Sequence, residues 1–171
     1  MERVFIMSNF KEKLAIGKTG ESEIARWLIS RGASILPVYE IAENQFKGPA
    51  VYSADLSIIA PDMLVFRDGK ITFIEAKHKE AFSWHRITQQ WVTGIDLKHY
   101  FEYQKIQETL KIPVWLMFLH KGGAAKDSEK SPAGLFGNSL DFLTKNENHR
   151  HKNWGNSGMV YWNINTLKKF K

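Results

Sequence analysis

Apolar residues along the 171-residue chain recur first with a helical period and then as short strand-like runs. Between Gly17 and Arg31, residues Ile24, Ala25 and Leu28 fall on one arc at about 100° per residue, which predicts an amphipathic helix stopped by Arg31-Gly32. Ile35 to Glu40 reads as a strand, and Pro37 places it at or near a sheet edge or makes its start irregular. Residues 41–60 read as a loop with some extended structure. Met63-Leu64-Val65-Phe66 and Ile71-Thr72-Phe73-Ile74 flank Asp68-Gly69, a tight-turn pair, and together predict a β-hairpin. A helix restarts at Thr93-Gly94 or Asp96 and runs to about Lys111, with Leu97, Tyr100, Phe101 and Gln104 on one arc. Ile112-Pro113 ends it, and the continuous apolar run Val114 to Leu119 predicts a buried central strand.

Elsewhere the pattern is weaker. Residues 1–16 hold an apolar patch, Val4 to Met7, then Ser8 as a candidate helix cap and a Lys-rich segment, to which no role is assigned. Gly122 to Gly134 reads as a polar loop, Ser139 to Leu143 as a helical turn or a short strand, and Asn146 to Asn156 as a basic, His-containing loop. Met159 to Ile164 predicts a late strand, and Leu167 to Lys171 a basic tail. The length fits one domain over residues 1–171, with a core at about 17–120 and residues 121–171 as an elaboration.

The hairpin carries the candidate chemistry. Asp62 stands where its first strand opens, while Glu75 and Lys77 lie two apart near the end of the second and so share a face. Two carboxylates at short range repel, and a hard divalent cation such as Mg²⁺ relieves this by taking their oxygens together with water and substrate phosphate. A lysine beside them orients or deprotonates an attacking water and offsets charge on a phosphorane-like transition state. On the first helix, Glu21 precedes Ile24, Ala25 and Leu28 by three, four and seven residues and lies on the same inward arc, whereas Glu23 points nearly the other way. An acid on a buried arc requires a partner; Glu23 suits a first-turn contact with the helix dipole.

Pro61-Asp62, twelve residues, then Glu75-Ala76-Lys77 resembles the signature of the PD-(D/E)xK nuclease superfamily, with the restriction-endonuclease-like fold. The first helix is similar to the Gly-x-x-(Ala/Gly)-Glu-x-Glu-(Leu/Ile) start of archaeal Holliday-junction-resolvase-type members. The resemblance also extends to phage-type members of the superfamily. It implies an α/β fold with an αβββαβ core, a central mixed sheet flanked by helices, over about Gly17 to His120. It implies a Mg²⁺-dependent deoxyribonuclease, with Mn²⁺ as a substitute, that hydrolyses phosphodiester bonds of DNA and is structure-selective. Asp62, Glu75 and the Ala76 carbonyl are then the metal ligands, Glu21 (second choice Glu23) completes the acidic set, and Lys77 positions the water. Because many relatives set a glutamine or tyrosine of the post-motif helix against the site, Gln104 is carried over as a further catalytic residue. Asp55 rivals Asp62, but Pro-Asp before an apolar strand favours Asp62. Resolvases work as two-fold dimers, so a homodimer is implied as well.

Composition narrows the classes. A formal charge of +6 suits a polyanionic partner such as nucleic acid, or a solvated basic surface. Without cysteine, disulfides and thiolate zinc sites are excluded. No apolar run approaches the roughly 18 residues of a membrane span and no signal-peptide core opens the chain, so a cytoplasmic protein without membrane partner is expected. Ala81 to Arg86 mixes aromatic and basic residues, which suits nucleic-acid contact or the rim of a core. His149 and His151 read as part of a solvated or phosphate-contacting loop, since no further ligands match them. The alternative function is an inactive nucleic-acid-binding module of a larger DNA-processing complex. RNA cleavage of the splicing type relies on a histidine and tyrosine trio that is not recognisable among the six histidines and five tyrosines.

Overall fold

The computed structural model of the chain describes residues 19–38, 49–52, 57–124, 130–153 and 157–171. The N-terminal apolar patch, Asp55 and part of the loop before Asp62 lie outside the described residues. Helix α1 spans Thr19–Ser30 and ends as its sequence requires. Gly32 has φ +86°, and the Gly32 and Ala33 amides donate to the Ile29 and Leu28 carbonyls at 3.0 and 3.2 Å, a Schellman closure.

The strands that follow are β1 (Ser34–Pro37), β2 (Ala50–Tyr52), β3 (Ser57–Ile59), β4 (Met63–Arg67) and β5 (Lys70–Lys79). Asp68 and Gly69, at φ 51° and 71°, join β4 to β5 in a two-residue turn whose left-handed backbone matches the strand twist, as the Asp-Gly pair predicts. Next come β6 (Ser83–His85), β7 (Gln90–Asp96), helix α2 (Leu97–Leu110), β8 (Val114–His120) and β9 (Gly134–Ser139). The chain closes with α3 (Leu140–Lys145), β10 (His149–His151), β11 (Met159–Asn163), a 3₁₀ turn over Ile164–Thr166, and β12 (Lys168–Lys169).

Six strands form the main sheet in the order β1-β4-β5-β8-β9-β12. Among the described residues only β5 and β8 run parallel, so the sheet is mixed and β8 is central; β1, with Pro37, is there an edge strand paired to β4 alone. The elements α1, β1, β4, β5, α2 and β8 reproduce the αβββαβ order expected. Ile24 and Ala25 of α1 pack on Met63, Val65, Ile74, Ala76, Met117 and Leu135, which occupy one face. The other face, with Phe73, Leu116, Phe118 and Phe136, meets Leu97, Tyr100, Tyr103 and Ile106 of α2 and Leu140 and Leu143 of α3.

A second sheet, β10-β11-β7-β6, departs from the sequence reading. Thr93-Gly94 belongs to β7 and does not start a helix; α2 begins only after Asp96. The mixed stretch before it supplies β6, the basic His-containing loop supplies β10, and the basic tail supplies β12, which pairs with β9. Ser139 ends β9 and caps α3 by accepting from the Phe142 amide at 3.4 Å. The buried arc of α2 is also corrected: it is Leu97, Tyr100, Tyr103 and Ile106, while Phe101 is 49% exposed.

Candidate functional site

Strand alternation places Phe73, Glu75, Lys77 and Lys79 of β5 on the face turned to α2, and Ile74, Ala76 and His78 on the face turned to α1. Because Met63 pairs with Ile74, the next step of the register brings Asp62 beside Glu75. The Ala76 amide donates to Asp62 Oδ2 at 2.8 Å and fixes that carboxylate at the mouth of β4.

Glu75 is 1% exposed. Its Oε1 forms an ion pair with the Lys77 ammonium, and its Oε2 is buried with no hydrogen-bond partner among the described residues. Burial, then the Glu75 charge, pushes the Asp62 carboxyl up to about 7; the Ala76 hydrogen bond and Lys77 pull the other way. Burial works against the charged Lys77 amine, but Glu75, Asp62 and Glu21 outweigh it, and the net direction is upward. Glu21 is thus close enough for its field to reach Lys77; it is half-buried in the first turn of α1, whereas Glu23 is exposed. The approach of that turn depends on Gly20, where a Cβ would collide with the side chain of His78.

Asp62, Glu75, Ala76 and Lys77 therefore gather at the open end of the hairpin, with Glu21 on α1 within electrostatic reach of Lys77. Gln104 does not join them: its amide donates to the Thr144 hydroxyl at 3.2 Å, toward α3. The helix residue that reaches the carboxylates is Tyr103, one position earlier. It is 2% exposed, and burial, then the charge of the neighbouring Glu75, raises its hydroxyl pKa. The three-residue spacing of Leu97, Tyr100, Tyr103 and Ile106 was the signal that could have identified it.

More groups border the site. Burial and the neighbouring Lys77 lower the Lys79 amine, with Asp96 opposing. His99 carries a buried Nδ1 with no hydrogen-bond partner among the described residues, and burial and then Lys77 lower the pKa of its ring.

Among the described residues, no three His, Cys, Asp or Glu side chains cluster tightly enough to form a metal site by themselves. A divalent cation nevertheless fits the donors present. Among the described residues, one carboxylate oxygen is buried without a partner, and the adjacent carboxylate is pushed toward its protonated form by burial and then by that neighbour. A bound cation relieves both conditions.

The mixed sheet, with α1 on one face and α2 on the other, defines the restriction-endonuclease-like class of α/β fold. A solved structure has this fold: Hjc of Archaeoglobus fulgidus, described as a Holliday junction resolvase from an archaeal hyperthermophile. It is similar with a TM-score of 0.50 and 9% identity over 88% of this chain and 90% of that one. No protein-family model and no curated protein matches the chain.

Proposed function

We propose that the chain is a divalent-metal-dependent endonuclease that hydrolyses phosphodiester bonds of DNA, with Mg²⁺ as the resident cation and Mn²⁺ as its substitute. The observation that carries this reading is the convergence of Asp62, Glu75 and Lys77 on one strand face, two acids and an amine with a carboxylate oxygen left over. Asp62, Glu75 and the Ala76 carbonyl would hold the cation, with Glu21 adding negative charge from α1. The cation supplies Lewis acidity beside the phosphate.

The remaining steps belong to the chain's own groups. Lys77 holds the attacking water in line and offsets charge on the pentacoordinate transition state. The water oxygen forms the new bond to phosphorus, and the sugar oxygen opposite departs with the bonding pair and takes up a proton. Tyr103 fixes the Glu75 carboxylate. Lys79, two residues beyond Lys77 on the same face, brings a second cation to the DNA backbone.

Similarity of fold to a protein described as a Holliday junction resolvase supports branched DNA as the preferred form, and a two-fold dimer as the working unit. The test incubates purified protein with Mg²⁺ or Mn²⁺ and duplex, single-stranded, flapped or four-way DNA. Cutting that disappears in EDTA and in Lys77→Ala is expected; no cutting of any of the four overturns the assignment. A second reading, a binding module without catalysis, is favoured by one observation: the Lys77 ammonium already occupies an oxygen of Glu75. DNA binding with no heat of divalent-ion binding in calorimetry would identify it.

A further inference from the structure

The second sheet has no part in the chemistry above, yet it leads directly into the site. Strand β7 ends at Asp96, which stands at the N-terminal boundary of α2 and acts electrostatically on Lys79, His99 and Tyr103. In the other direction β7 runs out to a hairpin with β6, where Trp84 pairs with Trp91 and His85 with Gln90.

The hairpin tip is ordered. His85 Nδ1 and the Thr88 hydroxyl are 2.7 Å apart, the Gln89 side-chain amide donates to the Arg86 carbonyl at 2.7 Å, and Gln89 takes φ 53°. At the apex this loop holds Ile87 at 89% exposure, the most exposed large apolar side chain among the described residues. Turn geometry does not call for an isoleucine there.

Below the tip, three aromatic rings lie nearly parallel. His85 and His149 are 4.0 Å apart at 11°, and His149 and Tyr161 are 4.6 Å apart at 9°. Gly94 lets β7 lie close to β11 beside the stack, since a Cβ there would collide with the Val160 carbonyl oxygen and fall 2.8 Å from Tyr161 Cδ1. The spacing approaches that of stacked bases, and His85, the member beside the tip, is partly exposed. The surround is basic: Arg86 and Lys152 are exposed, and the nearby acid Glu147 is already paired with Arg150.

We propose that the β6–β7 hairpin and its ring stack are a docking surface for unpaired DNA bases, with Ile87 as a wedge against the adjoining base step. Apolar side chains at such tips unstack bases, and aromatic platforms receive them without regard to sequence. From Gln90 to Asp96 the strand rises about 20 Å, so the hairpin stands off by about six base steps from the end of β7 that borders the site. This rests on the proposed function, because it names the form of DNA that the same site would cut: one with an opened or branched segment at that distance.

The test measures binding by fluorescence anisotropy in EDTA, where no cutting occurs, for a paired duplex and for the same duplex with a central bubble or four-way branch. The parent is expected to prefer the opened forms, and Ile87→Ala to lose roughly tenfold in affinity for them with duplex affinity unchanged. A 2-aminopurine base beside the opening is expected to brighten on binding the parent and not the variant. Equal affinity of the parent for paired and opened DNA overturns the inference, as does an Ile87→Ala protein that keeps the preference or the fluorescence change. Cutting of plain duplex with Mg²⁺ is scored separately. Its absence alongside intact discrimination refutes the nuclease and leaves the hairpin surface standing.

Discussion

The two faces of strand β5 bury comparable side chains under opposite rules. Toward α1, Ile74 and Ala76 meet Ile24, Ala25 and Met117, an apolar contact that stabilises by removing surface from water. Toward α2, Glu75 is as buried as its neighbours but brings a charge, an amine and an unsatisfied oxygen with it. Residues one step apart on one strand thus separate cohesion from the proposed chemistry. Removing a group from one face should cost stability, and removing one from the other should cost activity.

Lys77→Ala should produce the largest effect. Loss of the amine proposed to orient the water is expected to slow cleavage by about 10²–10⁴-fold, read by single-turnover kinetics at saturating Mg²⁺. On the opposite face, Ile24→Ala is expected to cost about 2–5 kcal/mol in urea denaturation while leaving divalent-ion affinity unchanged. If Ile24→Ala abolished ion binding, or Lys77→Ala cut as fast as the parent, the division of labour would be wrong.

Asp62→Asn sharpens the comparison by reversing the usual sign. The carboxyl is raised to about 7, above the roughly 3.9 of an unfolded aspartate, so the native state holds the proton more tightly. The stability this contributes is full below about pH 4 and is lost as pH rises through about 7. Asparagine retains an oxygen for the Ala76 amide and carries no charge. Without metal at pH 8 the variant should therefore be more stable than the parent by about 1–3 kcal/mol, below the roughly 4 that three pKa units represent because some solvent reaches the group. The gap should close toward pH 4, and Mg²⁺ should raise the parent's melting temperature but not the variant's.

What the sequence made legible follows from how local each cause is. Asp68-Gly69 and Arg31-Gly32 specify their turns within a few residues, and the apolar run of β8 marks its own burial. Asp62, Glu75 and Lys77 are legible because strand alternation and one hairpin register bring them together. The second sheet was hidden because β7 pairs with β11, more than sixty residues later, and neither strand shows clean alternation. Strand β12, two residues long, exists only because β9 offers an edge.

Tyr103 and Gln104 offer the smallest and most discriminating test. They are neighbours on α2, about 100° apart around the helix, and only the first reaches Glu75. Tyr103→Phe keeps the ring in the core and removes a buried hydroxyl that lies in the field of the Glu75 carboxylate, so a loss of about 1 kcal/mol is expected in thermal or urea melts. With Glu75 held less firmly, cleavage should fall by about two- to fivefold, a change under 1 kcal/mol at the barrier. Gln104→Ala removes a contact to Thr144 on the far side and should leave both ion affinity and cleavage at parental values. Should Gln104→Ala slow cutting while Tyr103→Phe does not, the face that α2 presents to the carboxylates would be the one the sequence first suggested, and the buried arc of α2 would have to be redrawn.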